Sequence, residues 1–371
     1  MKSNLFILFF ASLCIVTSCK QSPAPTVADN EQIRAYCIDF NWGEGGAHGF
    51  ARPGLWADAD PHAMVEWYAA LGCNVIQTFA VSCNGYAWYK NGIIPEQPGL
   101  KYDFLTEQVK FAREKGIKVL AYFCVGANNK WETDHPDLCY QADGQQIPLT
   151  KVYINYLCAS IADAIKKTDT DGIMLDWFYN PGGGRDPLPA FRWLPCEQEM
   201  YEELLGEQFP GINNLSEDKV LIFRQKAIGR AWEQIRNTVK ATKPSCIIWL
   251  TAYEVNSREY QGNTLLKEAD WVMNEAGDVS RTEAMKALVG EHTQLITCLA
   301  NWNRQDPTIV IPAALAQGIG LYGFTKPTLG SMLPLVDTYL RASIDTLKGD
   351  ALNIAVLART YNDLPFDYIK K

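Results

Sequence analysis

The 371-residue sequence is poor in histidine, with four residues scattered along it, and none of its eleven cysteines is paired at zinc spacing. No structural metal is expected, and no organic cofactor. Basic residues are also in deficit: 34 Lys and Arg stand against 42 Asp and Glu, a net charge of −8 with no basic cluster. That balance argues against nucleic acid and against an electrostatically held membrane surface. A Gly-x-Ser-x-Gly elbow is missing, which disfavours a serine hydrolase of the α/β type. Long hydrophobic runs are missing as well. The apolar stretch near the start, Leu5 to Val16, is too short for a comfortable membrane span.

That stretch reads instead as a secretory signal, because it follows Lys2 and ends in Val16-Thr17-Ser18-Cys19. A cysteine directly after Val-Thr-Ser resembles a bacterial lipoprotein box, in which the cysteine is acylated and becomes the first mature residue. The expected organisation is a signal peptide over 1–18, a lipid-anchored linker over 19–30 and one domain over 31–371, with Cys19 as the lipidation site. The segment from Gln21 to Thr26 has the composition of a tether. Lys20 is not the Asp that often marks inner-membrane retention, so the outer membrane is the expected location. Nine cysteines remain after Cys14 and Cys19. Export permits disulfides, but nine is odd, and Cys37, Cys124, Cys246 and Cys298 sit in apolar runs as small hydrophobes.

From residue 33 onward, short apolar runs alternate with helical patterns. The strand-like runs are Ile33–Trp42, Asn74–Ala80, Lys118–Gly126, Gly172–Phe178, Cys246–Tyr253, Asp270–Gly277, Thr293–Asn301 and Gly320–Thr325. Helical patterns fall at His62–Leu71, Phe104–Lys115, Tyr153–Lys167, Lys219–Ala241, Thr264–Ala269, Arg281–Val289, Thr308–Ala316 and Ser331–Leu347. Eight such units predict an α/β fold, a single (β/α)8 TIM barrel.

A barrel places its site at the C-terminal ends of the strands. Those ends carry Asp39 and Trp42, then Asn84, Tyr86 and Trp88, then Asp176 and Trp177. Further round come Glu254, Asn274 with Glu275, and Trp302. Seven of the eleven tryptophans, Trp42, Trp56, Trp88, Trp131, Trp177, Trp193 and Trp302, fall at strand ends or in the loops that follow. A rim rich in Trp, Tyr, Asn and carboxylates suits a carbohydrate, whose C–H faces pack on indole while its hydroxyls need hydrogen-bonding partners.

Glycoside hydrolysis usually needs two carboxyl groups, one to attack or stabilise the sugar carbon and one to protonate the departing oxygen. The first must be ionised and rigidly held, which suits Asp176 on a strand. The second needs a raised pKa, and Glu275 and Glu254 on nearby strand ends are the candidates. Asp39 is a candidate for holding sugar hydroxyls, with Trp42, Asn84, Tyr86, Trp88, Trp177, Asn274 and Trp302 as further binding candidates.

The runs Asn84-Gly85-Tyr86-Ala87-Trp88-Tyr89, Leu105 to Lys115, Gly116-Ile117-Lys118-Val119-Leu120-Ala121-Tyr122 and Asp171 to Phe178 together resemble a glycosyl hydrolase family related to alpha-L-fucosidases. The likeness covers about residues 33–180. It implies a barrel glycosidase in which Asp176 matches the nucleophile of a retaining mechanism. Where the fucosidases carry paired substrate-binding His, this chain has Ser82-Cys83 ahead of Asn84-Gly85, so fucose itself is not implied. The acid lies in a variable region of that family, and neither Glu254 nor Glu275 inherits the role. DGIMLDWFY also overlays a chitinase-like motif, but the essential acid would fall on Phe178, which cannot donate a proton. The expectation is an exported, lipid-anchored glycoside hydrolase acting on a glycan or oligosaccharide. The alternative is a non-catalytic glycan-binding lipoprotein on the same barrel.

Overall fold

The computed structural model describes residues 31–140, 147–178, 191–252, 257–300, 303–327 and 333–371. The signal peptide, the linker, Cys19, Glu254 and Trp302 lie outside the described residues. Eight parallel strands close into a barrel in sequence order. They are β1 (Arg34–Ile38), β2 (Val75–Val81), β3 (Lys118–Cys124), β4 (Gly172–Asp176), β5 (Ile247–Ala252), β6 (Trp271–Asn274), β7 (Gln294–Leu299) and β8 (Gly320–Thr325). Pairing of β1 with β8, from Arg34↔Leu321 to Ile38↔Thr325, makes the seam.

The strands read as continuous apolar runs because both faces are covered. Outward residues meet helices: Tyr36 packs on Trp67, and the Ile38 amide donates to the Tyr68 hydroxyl at 3.0 Å. Inward residues fill the barrel. Trp249 stands edge-on to Tyr322 and to Trp271, and the Tyr322 hydroxyl donates to Gln77 Oε1 at 2.8 Å. These side chains plug the barrel below the strand ends, leaving its upper layer free for polar groups.

Among the described residues the outer helices are α1 (Pro61–Leu71), α2 (Phe104–Glu114), α3 (Asn129–Asp134), α4 (Lys151–Thr168), α5 (Pro195–Leu205) and α6 (Glu217–Thr242). They continue with α7 (Leu265–Glu268), α8 (Val279–Met285), α9 (Pro307–Ala316), α10 (Val336–Arg341) and α11 (Asp350–Tyr361). No described helix is long and apolar enough to cross a membrane. The helical pattern expected over Ser331–Leu347 is shorter in the structure: α10 ends at Arg341, where Ala342 turns extended. The closing helix of the barrel is α11, which the sequence reading did not identify.

That last helix braces the seam. The Tyr361 hydroxyl donates to the Ala35 carbonyl of β1 and to the Leu321 carbonyl of β8, at 3.1 and 3.2 Å. Two residues earlier, the fully buried Arg359 donates to the carbonyls of Tyr339, Ala342, Ala355 and Tyr368. Its guanidinium ties α10, α11 and the C-terminal segment together without a carboxylate partner among the bonds described. Replacing it by Met strands several buried carbonyls, so Arg359→Met is expected to lower unfolding free energy by about 2–4 kcal/mol. A urea midpoint equal to that of the unsubstituted protein would refute this bracing role.

Candidate active site

The β4 strand ends at Asp176, and its carboxylate turns into the barrel mouth. Tyr122 Oη of β3 donates to Asp176 Oδ2 at 2.8 Å. Thr251 Oγ1 of β5 and the Trp177 amide donate to Oδ1 at 2.7 and 2.9 Å. Burial raises the Asp176 pKa above the ordinary value, and these three hydrogen bonds oppose the rise. Trp177 reaches that position with φ +51°, in the left-handed region that costs a non-glycine residue strain. Space for the bend comes from Gly126 after β3, where a Cβ would lie 2.8 Å from the Trp177 carbonyl oxygen.

Glu275 follows β6 directly and faces the same cavity. Its loop is fixed by amide side chains. Asn274 Nδ2 donates to the Asp278 carbonyl and to Thr282 Oγ1 at 2.8 and 3.1 Å, while Asn303 Nδ2 donates to the Glu275 carbonyl at 3.2 Å. Gly277, at φ +72°, lets the loop pass under Asn303. Burial, and then the charge of Asp176, push the Glu275 carboxyl up to about 8. No described residue donates a hydrogen bond to that carboxyl, which explains why it keeps its proton more tightly than Asp176 does.

A third carboxyl, Asp39, sits just beyond β1. Its Oδ1 accepts from the Asn41 amide at 2.6 Å. Burial raises it to about 7; the Asn41 amide and Lys326 lower it, whereas Asp176 adds to the rise. The three carboxyls line one cavity of about 290 Å³ together with Trp42, Phe50, Trp177, Tyr122, Cys83, Phe324 and Lys326. Phe50 lies between two indoles, 5.2 Å from Trp42 and 5.8 Å from Trp177 by ring centroids. The result is an aromatic wall opposite acidic groups. No group of three His, Cys, Asp or Glu side chains among the described residues is arranged to hold a metal ion.

The structure therefore brings together Asp39, Trp42, Asp176, Trp177 and Glu275. Other binding candidates are placed elsewhere. Trp88 is 1% exposed, stacked on Phe40 at 4.6 Å, with its Nε1 donating to Ser82 Oγ. Asn84 is buried among Ser82, Gln97 and the Ala51 carbonyl, holding the loop after β2. Tyr86 is half-buried in that loop and its amide donates to Asn84 Oδ1. Asn274 is also buried, and it orients the Glu275 loop. Trp88, Asn84 and Asn274 act on loop shape, because their side-chain polar atoms are spent within the protein. Ser82 and Cys83, where the resemblance implied the place of a fucosidase His pair, take different parts. Ser82 accepts from Trp88 and Gln97, while Cys83 lines the cavity with its Sγ 3.5 Å from Tyr122 Oη.

Residues missed by the sequence reading are Tyr122, Thr251, Phe50 and, as a working group, Lys326. The alternation of β3 held the signal for Tyr122, since Leu120, Tyr122 and Cys124 share one face. For Phe50 no local signal exists: it returns to the cavity through the antiparallel bridge Trp42↔Phe50.

Comparisons with known proteins agree with this architecture. An alpha-L-fucosidase, isoenzyme 2, from Paenibacillus thiaminolyticus superposes with a TM-score of 0.64 at 18% identity, over 90% of this chain and 49% of that one. The present chain thus spans about half the length of that fucosidase. The glycoside hydrolase domain of PgaB (BpsB) from Bordetella bronchiseptica superposes with a TM-score of 0.56 at 13% identity, over 80% of this chain and 94% of that one. At such identities the likeness concerns the fold. No curated protein matches the chain by sequence. Residues 60–177, the segment carrying β2, β3, β4 and Asp176, match the family model described as hypothetical glycosyl hydrolase 6, so the chain is similar to the glycosyl hydrolases in sequence as well as in barrel fold.

Proposed function

We propose that the protein is a glycoside hydrolase, exported and lipid-anchored through Cys19, with Asp176 as nucleophile and Glu275 as general acid. One observation carries the reading: two carboxyls face the same cavity, and their surroundings drive their proton affinities apart. Asp176 Oδ1 accepts two hydrogen bonds and Oδ2 one, so Oδ2 keeps a lone pair for the sugar carbon. Glu275, pushed up to about 8, holds a proton at neutral pH. It delivers that proton to the glycosidic oxygen as the C–O bond breaks and Oδ2 bonds to C1. Water then attacks C1, Glu275 takes the proton back, and Asp176 leaves as the carboxylate. The Trp42–Phe50–Trp177 wall supplies a face for the sugar ring. The substrate is a glycan or oligosaccharide of the cell's surroundings, met at the outer membrane.

The replacement of the family's His pair by Ser82-Cys83 favours a second reading, sugar binding without turnover. Hydrolysis of a panel of aryl glycosides by the protein without residues 1–19 separates the two. Asp176→Asn is expected to lower turnover by several orders of magnitude. Glu275→Gln should lower it by about 10²–10⁴, with the loss greatest for poor leaving groups. Sugar binding by calorimetry with no hydrolysis of aryl glycosides or polysaccharides would establish the binding-protein reading instead.

Activity requires ionised Asp176 and protonated Glu275. The rate should rise as Asp176 ionises and fall as pH passes about 8, and Glu275→Gln should remove the alkaline limb. Stability carries the same signature. The Glu275 pKa is raised on folding from 4.5, so its contribution is complete below that pH and lost as pH climbs through about 8. The urea midpoint of the parent should therefore decline, relative to that of Glu275→Gln, between mildly acidic and alkaline buffer. Parallel midpoints would show that Glu275 titrates as an ordinary surface carboxyl.

A further inference from the structure

The structure assigns Asp39, Trp42 and Lys326 to a subsite for two vicinal hydroxyls of an uncharged sugar ring. The inference deepens the glycosidase reading and rests on the cavity taking a sugar. The three residues meet at the seam of the barrel, where β1 and β8 pair and the Asp39 amide donates to the Thr325 carbonyl at 2.8 Å. Lys326, the next residue, extends its ammonium over the Trp42 ring, 5.1 Å from the centroid. All three line the cavity that holds Asp176 and Glu275.

Their polar capacity is only partly used. Asp39 accepts from the Asn41 amide, but two carboxylate oxygens offer about four acceptor sites. The exposed Lys326 ammonium has three donors, and no hydrogen bond or ion pair to a described residue takes one. An acceptor and a donor on adjoining strand ends, lining one cavity without pairing to each other, complement adjacent hydroxyls, one giving its proton to Asp39 and its neighbour accepting from Lys326. The Trp42 ring lies under the ammonium and fixes its position.

A lysine beside a sugar cavity could equally suggest an acidic sugar. The charge distribution opposes that. Among the described cavity residues Asp39 and Asp176 accompany the single cation, Glu275 holding its proton, and Asp39 feels both Lys326 and Asp176. A carboxylate or sulfate brought to Lys326 would come up against Asp39 as well, with Asp176 behind it. A hydroxyl pair meets no such repulsion. The proximity of Asp39 to Asp176 also places the ring held here next to the nucleophile, so this subsite serves the sugar that is being cleaved.

The test is calorimetric titration of the intact protein with methyl glycosides of galactose, glucose, mannose and fucose, their monodeoxy analogues, and the matching uronic acids. The expected result is binding of a neutral glycoside, with at least tenfold loss when one of the paired hydroxyls is removed. Asp39→Asn and Lys326→Met should each weaken the parent glycoside by about tenfold while binding the deoxy analogue as the unsubstituted protein does. Unchanged thermal midpoints would confirm that both variants fold. Tighter binding of a uronic acid, equal discrimination in the variants, or no binding of any neutral glycoside would overturn the assignment. Discrimination without hydrolysis of the aryl glycosides or of polysaccharides would support the subsite while sinking the catalytic proposal.

Discussion

The demand on which this site depends is the solvation of one buried carboxylate. Asp176 ends a strand whose preceding residues are apolar, and an ionised group there must replace water with protein donors. Its two flanking strands supply them, Tyr122 from β3 and Thr251 from β5, and its successor supplies an amide. Each donor imposes a further condition. The register must set Cys124 beside Asp176, so that Tyr122 lies one inward position below. Trp177 must adopt a left-handed backbone, and the chain after β3 must carry a glycine where the two segments touch.

The remaining acidic groups take their character from that arrangement. Among the described residues Glu275 has no comparable set of donors, so burial and the neighbouring negative charge both work to keep it neutral. Asp39 lies between the two cases, with one strong amide bond and a distant cation set against burial. Three carboxyls in one cavity thus differ in proton affinity through the number of donors each receives. Asn274 and Asn303 work on backbone carbonyls rather than on any ligand, and they keep the second carboxyl on the cavity side.

The barrel was legible because eight apolar runs alternate with helical patterns, and Gly320–Thr325 coincides with β8 from end to end. Helix α5 escaped notice, its first turn marked by Pro195 but its apolar face short. Asp176 and Glu275 were legible because strand ends in a barrel face its mouth. Trp88 and Asn84 were misplaced for a physical reason: the loop after β2 folds back and builds its own small interior. An indole in a loop is then covered by Phe40 and Phe104 rather than offered to a ligand. Tyr122 and Thr251 were passed over because neither is charged, although a buried anion calls for neutral donors on adjacent strands.

The seam between β1 and β8 joins the earliest and latest strands of the fold, and Tyr361 of the last helix clips it shut. A chain emerging from a ribosome therefore carries Asp39, Asp176 and the aromatic residues Trp42, Phe50 and Trp177 long before Lys326 exists. Fragments that stop short of β8 would present the acidic residues to water with no enclosing cavity. The mouth of this barrel is enclosed only once the terminal strand and helix are docked against β1.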